Sequence, residues 1–186
     1  MGRLSDMRGK IKRYENVQMK ITGIDPGLSG AWCTVDFYNK RVIGATFGTF
    51  PKFKRRVGQT ERSEYRLQGM LDVLKFPDSE VIYLEHVWAF PMDTPMTAFK
   101  FGKGLGIIET CLVANGYGDY KTVPPITWEG IMHLGITKGL TPKTRSAYRV
   151  SEIFPELLEE TKKDGVIDAF LIAVYGYFKE SGVIIR

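Results

Sequence analysis

Asp25, Glu85, Asp164 and Asp168 are the residues of this 186-residue chain whose types and surroundings could do chemistry. Asp25 closes an apolar run, KITGID, and is followed at once by Pro26 and Gly27, so a carboxylate stands where a strand ends and a glycine clears space beside it. Glu85 lies inside EVIYLEHV, between Leu84 and Val87. An unpaired acid buried in such a run is costly and needs a cation or a proton. Asp164 and Asp168 open DGVIDAFLIAVYG four residues apart, on one helical face with Cβ atoms about 5–6 Å apart. The apolar neighbours Val166, Ile167, Phe170 and Leu171 make Asp168 semi-buried, with Lys163 the base placed to relieve the pair. Each acid also has a purely structural reading: Asp25 as a turn former, Glu85 as the partner of a buried Arg, Asp164 as a helix N-cap. Taken together, four acids in one cleft would raise one another's pKa and destabilise the fold unless divalent cations neutralise them. Carboxylates without His or Cys suit Mg²⁺ or Mn²⁺. Two such ions about 3.5–4 Å apart can activate a water and stabilise the leaving oxygen of a phosphodiester.

The elements that must position these acids follow from periodicity and turn residues. Residues 19–25, 31–38 and 41–50 read as three antiparallel strands, the last two joined at Asn39-Lys40. A basic loop with Lys52, Lys54, Arg55 and Arg56 follows, then a helix over residues 61–75, where Tyr65, Leu67, Leu71 and Leu74 recur at helical spacing. Residues 80–87 form a buried strand and residues 120–123 another. Helices are expected over residues 97–114, 126–133, 142–154 and 164–179. The first of these holds Gly102, Gly104 and Gly106. Each glycine costs about 1 kcal/mol relative to alanine, which suggests that another backbone, such as that of a nucleic acid, passes close by. Three meander strands followed by alternating helices and strands imply a mixed α/β sheet covered on both faces.

Composition narrows the class. The chain is 44% hydrophobic and 25% charged, as expected of an ordinary soluble domain. No apolar run approaches the roughly 20 residues of a membrane span, and no secretory signal opens the chain. Two Cys and two His make neither a disulfide framework nor a zinc site, which fits a reducing, cytoplasmic setting. Residues 1–18 read as a basic arm ahead of a domain over residues 19–186; an appended leader, or a start upstream of Met19, is the other reading. The net charge of +5 is unevenly spread: residues 40–66 hold eight basic and two acidic residues, and residues 100–149 hold seven and three. Residues 151–168 hold six acidic and two basic ones. Positive tracks beside an acidic cleft suit a phosphate backbone and a cation.

The motifs resemble one family. KITGIDPGLSG is similar to the first strand of RuvC-type Holliday junction resolvases, VIYLEHVW to their second motif, and DGVIDAFLIAVYG to their last. TAFKFGKGLGIIETCL, VPPITWEGIM and SEIFP look most like the bacteriophage branch, so the likeness spans residues 19–178 in order. The resemblance implies a ribonuclease H-like fold, a mixed five-stranded sheet flanked by helices. It implies that Asp25, Glu85, Asp164 and Asp168 hold two Mg²⁺ or Mn²⁺ ions and that Trp88 stacks on bases, a contact worth ~1–3 kcal/mol per base. A core position is the alternative for Trp88. Lys143 matches a basic position that contacts DNA in the family. Lys52, Lys54, Arg55, Arg56, Lys100, Lys103 and Arg145 lie in the positive tracks and join it as expected DNA contacts. Two departures stand out: the last acid pair is four apart, as in phage-like members, where well-known bacterial ones have three, and Glu129 stands where phage relatives often carry Lys. The implied activity is that of a homodimeric crossover junction endodeoxyribonuclease nicking four-way DNA junctions symmetrically. A broader debranching nuclease or an RNA-processing relative of the YqgF type is the alternative within the fold. A non-enzymatic DNA-binding module and an actin-like ATPase fit the acids and the length less well.

Overall fold

Ile21, Gly23 and Asp25 alternate with Thr22 and Ile24 along strand β1 (Gln18–Asp25), and this alternation divides the molecule into two layers. The computed structural model describes residues 18–182 apart from residues 28 and 90 and the side chain of residue 57. The basic arm read over residues 1–18 therefore lies outside the described residues, save Gln18, which opens β1.

Strand β1 pairs antiparallel with β2 (Ala31–Tyr38), which pairs antiparallel with β3 (Arg41–Thr49). The β2–β3 turn places Asn39 at φ 49° and Lys40 at φ 64°, the left-handed pair that a two-residue hairpin of native twist requires. On its other side β1 pairs parallel with β6 (Val81–Glu85), and β6 with β7 (Lys121–Val123). The five-stranded sheet runs β3-β2-β1-β6-β7.

Residues 52–65 correct the sequence reading. The expected basic loop and the first part of the expected helix form a separate hairpin, β4 (Lys52–Val57) and β5 (Thr60–Tyr65). Helical spacing holds only from Leu67, in helix α1 (Leu67–Val73). Apolar alternation is missing from the hairpin because most of its side chains face solvent.

Helix α2 (Pro95–Ala114) packs with α1 on one face of the sheet, against Ile24, Ile82 and Leu84. Helices α3 (Pro125–Met132), α4 (Pro142–Ile153), α5 (Glu156–Glu160) and α6 (Asp164–Ser181) contribute to the core on the other face. Sequence reading missed α5, a helix too short to show a period. Helix α6 is apolar almost all round because it is buried nearly all round, from Gly165 to Tyr177. A Cβ at Gly23 would run into the Ala169 carbonyl oxygen and lie 2.6 Å from the Ala173 nitrogen, so β1 and α6 touch backbone to backbone. Among the described residues, no helix is long and apolar enough to cross a membrane.

The glycines of α2 have few neighbours within the chain itself. Gly102 and Gly106 have nothing within 4 Å, and Gly104 faces the Tyr65 ring, 3.2 Å from where a Cβ would stand. Within the chain, the one close neighbour is thus an aromatic side chain, at Gly104.

Candidate active site

Parallel pairing of β1 and β6 brings two acids together. Ile24 registers with Leu84, so Asp25 and Glu85, the last residue of each strand, stand side by side on the α6 face. Carboxyl ends of adjacent parallel strands are where α/β sheets bind ligands. A Cβ at Gly165 would lie 2.9 Å from Asp25 Oδ2 and 2.6 Å from the Ser29 carbonyl oxygen, so α6 begins directly against the Asp25 turn. Asp168, one helical turn on, acts electrostatically on Glu85 and is itself acted on by Asp25.

All three acids are half-buried and hold their protons unusually well. Burial pushes Asp25 up to about 6, against a 3.3 Å bond from the Gly27 N–H. Burial, then the charge of Asp25, raises Glu85 to about 7, although the Trp128 indole N–H donates to its Oε1 at 2.9 Å. Burial also lifts Asp168 to about 7; a hydrogen bond from Ser146 pulls it down, while Asp25, Glu129 and Asp164 push it up. Among the described residues, the one cation that acts on any of the three is Lys143, which is bound to Asp164 and feels the charge of Asp168 only as a lesser influence.

Asp164 is different. It is exposed and bound to Lys143 Nζ at 2.6 Å, so Lys143, rather than the expected Lys163, meets this acid. Its proposed capping role is not made: Lys163 is the N-cap, and no side chain caps α6. Among the described residues, no three Asp, Glu, His or Cys side chains close into a ready-made metal cage. The donor chemistry nonetheless fits a hard divalent cation, since three half-buried carboxylates gather there and raise one another's pKa.

The expected DNA contacts are spread over several surfaces. Trp88 is 45% exposed on the segment after β6, 5.6 Å ring to ring from His86, which sets aside the core alternative. Lys52, Lys54, Arg55 and Arg56 are exposed along β4; Lys54 pairs with Glu61 at 3.1 Å and Arg55 with Glu64 at 3.9 Å. Lys100 and Lys103 are exposed on α2, and Lys103 also reaches Glu64, at 3.6 Å. Arg145 is half-buried, with its charge acting on Glu129 and His133.

Three contributors escaped sequence reading. Trp128 is 2% exposed and looks like any core aromatic in PITW until its N–H is seen on Glu85. Glu129 adds a fifth negative charge to the site. Tyr65 donates its hydroxyl to the carbonyls of Pro26 at 3.1 Å and Gly27 at 2.9 Å, holding the turn that presents Asp25.

This arrangement has known counterparts in shape. The chain matches RuvC of Thermus thermophilus, solved in complex with a Holliday junction substrate, at a TM-score of 0.55 and 18% identity over 88% of this chain and 96% of that one. The fold is RuvC-like, of the ribonuclease H class. A further T. thermophilus RuvC structure gives the same TM-score and identity over 88% of this chain and 97% of that one. No protein-family model and no curated protein sequence matches the chain.

Proposed function

We propose that this RuvC-like chain is a divalent-metal-dependent endonuclease that resolves four-way DNA junctions by paired symmetric nicks. The observation that carries the reading is the meeting of Asp25, Glu85 and Asp168 where two parallel strands end, with the charges of Asp25 and Asp168 acting on Glu85. That the matched RuvC was solved with a Holliday junction substrate supports the choice of nucleic acid.

Asp25, Glu85 and Asp168 would hold Mg²⁺ or Mn²⁺, with Asp164 joining after release from Lys143. When bound, two such ions supply an activated water and stabilise the leaving oxygen of the phosphodiester. The chain's own residues do the rest. Tyr65 and Gly27 fix the Asp25 turn, and Trp128 fixes one oxygen of Glu85. Trp88, exposed three residues after Glu85, would offer an indole face to an unpaired base at the crossover. The bases of β4 and α2 lie on the surface to meet phosphates. A junction is two-fold symmetric, so a C₂ dimer presents two such sites. Helix α2 is the element for that contact, with Met96, Phe99 and Phe101 exposed along it. Within the family likeness, the helix sequence favours the phage branch.

The test is a gel assay on a fixed junction. Asp25→Asn and Glu85→Gln should each abolish Mg²⁺-dependent cleavage while leaving junction binding intact, and wild-type cutting by either variant would sink the assignment. Flaps, three-way junctions and RNA run in parallel show whether four-way junctions are preferred.

A further inference from the structure

Two of the three buried acids are touched from behind by the same corner of the fold. Helix α3 brings Trp128, whose indole N–H bonds Glu85 Oε1 at 2.9 Å. Helix α4 brings Ser146, 2% exposed, whose hydroxyl bonds Asp168. Between them stands His133, directly after α3 and 6% exposed. Its ring meets Trp128 edge to face at 6.0 Å, and its Nε2 lies 3.1 Å from Ser146 Oγ. Arg149 of α4 clamps this corner, donating to the carbonyls of Met132 at 2.6 Å and Leu134 at 2.5 Å.

With Glu85 and Asp168 ionised, as metal ligands are, the proton count on this chain has one consistent solution. An indole N–H can only donate, so Glu85 Oε1 must accept. An ionised Asp168 can only accept, so the single Ser146 proton points to it. Ser146 Oγ must then accept from His133, which requires the proton on Nε2. Nδ1 is left as a bare lone pair, and it is buried with no hydrogen-bond partner, a smaller loss than an orphaned N–H there would be. Burial and the charges of Arg145 and Arg149 keep the imidazole neutral, so a second ring proton is disfavoured.

We infer that Trp128, Ser146 and His133 form a positioning layer that orients Glu85 and Asp168 toward a divalent cation. None of the three touches the reacting atoms. Each holds a carboxylate oxygen from behind, directly or through its neighbour, and leaves the rest of the carboxylate to face the site. Partners of this kind behind a metal ligand typically change metal affinity or activity 10–100-fold. The inference rests on the proposed reading of Glu85 and Asp168 as metal ligands.

The experiment measures Mn²⁺ binding to the full chain without DNA, together with the His133 tautomer by ¹⁵N NMR. Ser146→Ala and Trp128→Phe should each weaken Mn²⁺ binding about tenfold or more, with thermal unfolding confirming that the variants fold. Ser146→Thr keeps the hydroxyl and should restore binding. In the wild type saturated with diamagnetic Mg²⁺, which keeps Asp168 ionised, His133 should be the neutral Nε2–H form. A dominant Nδ1–H tautomer would overturn the inference even if no variant folds, because Ser146 would then donate to His133 and not to Asp168. Mn²⁺ binding that Glu85→Gln weakens, but Ser146→Ala and Trp128→Phe leave unchanged, would overturn the layer while sparing the metal site. Wild-type binding that Glu85→Gln leaves unchanged would overturn both.

Discussion

Asp25, Glu85 and Asp168 tie stability to pH in a direction opposite to ordinary surface acids. Their folded pKa values of about 6, 7 and 7 lie above those of an unfolded chain, so the native state binds more protons between roughly pH 4 and 7. Stability is therefore fully present below the unfolded values and is lost as pH rises through the folded ones. In chelator, thermal unfolding should shift down between pH 5 and pH 8. Mg²⁺ or Mn²⁺ should restore the midpoint at pH 8 and have little effect at pH 5, where the acids are protonated. Midpoints that ignore both pH and metal would remove the electrostatic case for a cation site. The three acids were legible in the sequence because a carboxylate inside or ending an apolar run is conspicuous wherever it occurs. Trp128 and Ser146 were not, because nothing local distinguishes a core indole or a helical serine from one that holds an acid. Their roles exist only after α3 and α4 dock.

The contact between β1 and α6 is the element-scale device that assembles the site. Gly23 is where it is closest, and an added methyl group there has no free direction, since backbone atoms fill the space. Gly23→Ala should destabilise the fold by at least about 1–3 kcal/mol, the usual range for overpacking. It should also reduce cleavage by displacing Asp168 from Asp25. Thermal unfolding and the junction assay check both, and a wild-type midpoint would mean that the helix can slide away at little cost. The strands and long helices could be read from sequence because their faces are buried and their periods clean. The β4–β5 hairpin could not. Both of its faces carry charged residues, and the true helix from Leu67 lent its spacing to the residues before it. Asp164 shows the same limit: its spacing from Asp168 was visible, but its bond to Lys143 spans 21 residues.

At the scale of the whole molecule, charge is segregated between a basic hairpin and helix surface and an acidic strand end. Lys52, Lys54 and Arg56 alternate along β4 and so share one face of a ribbon, a shape that fits the DNA major groove. Binding to junction DNA should weaken with salt, and the slope of log K against log salt should lose about 0.9 for each phosphate contact removed. Lys52→Ala combined with Arg56→Ala should show that flattening without changing the cleavage rate at saturating protein. An unaltered slope would place the hairpin away from the duplex. The mixed character of the sheet followed from the sequence of elements, since three meander strands leave β1 free to take a parallel neighbour through a crossover; the strand order came only with the structure.

That parallel neighbour has a consequence for how the protein comes to life on the ribosome. Asp25 and Glu85 are 60 residues apart, and Asp168 comes 83 residues after Glu85. A nascent chain lacking α6 has a meander and two acids, but neither the third acid nor the apolar cover that makes them hold their protons. Under the proposed function, competence to cut therefore waits until synthesis has passed α6. The cost is borne by α6 itself, whose apolar surface must find the sheet before it finds another chain.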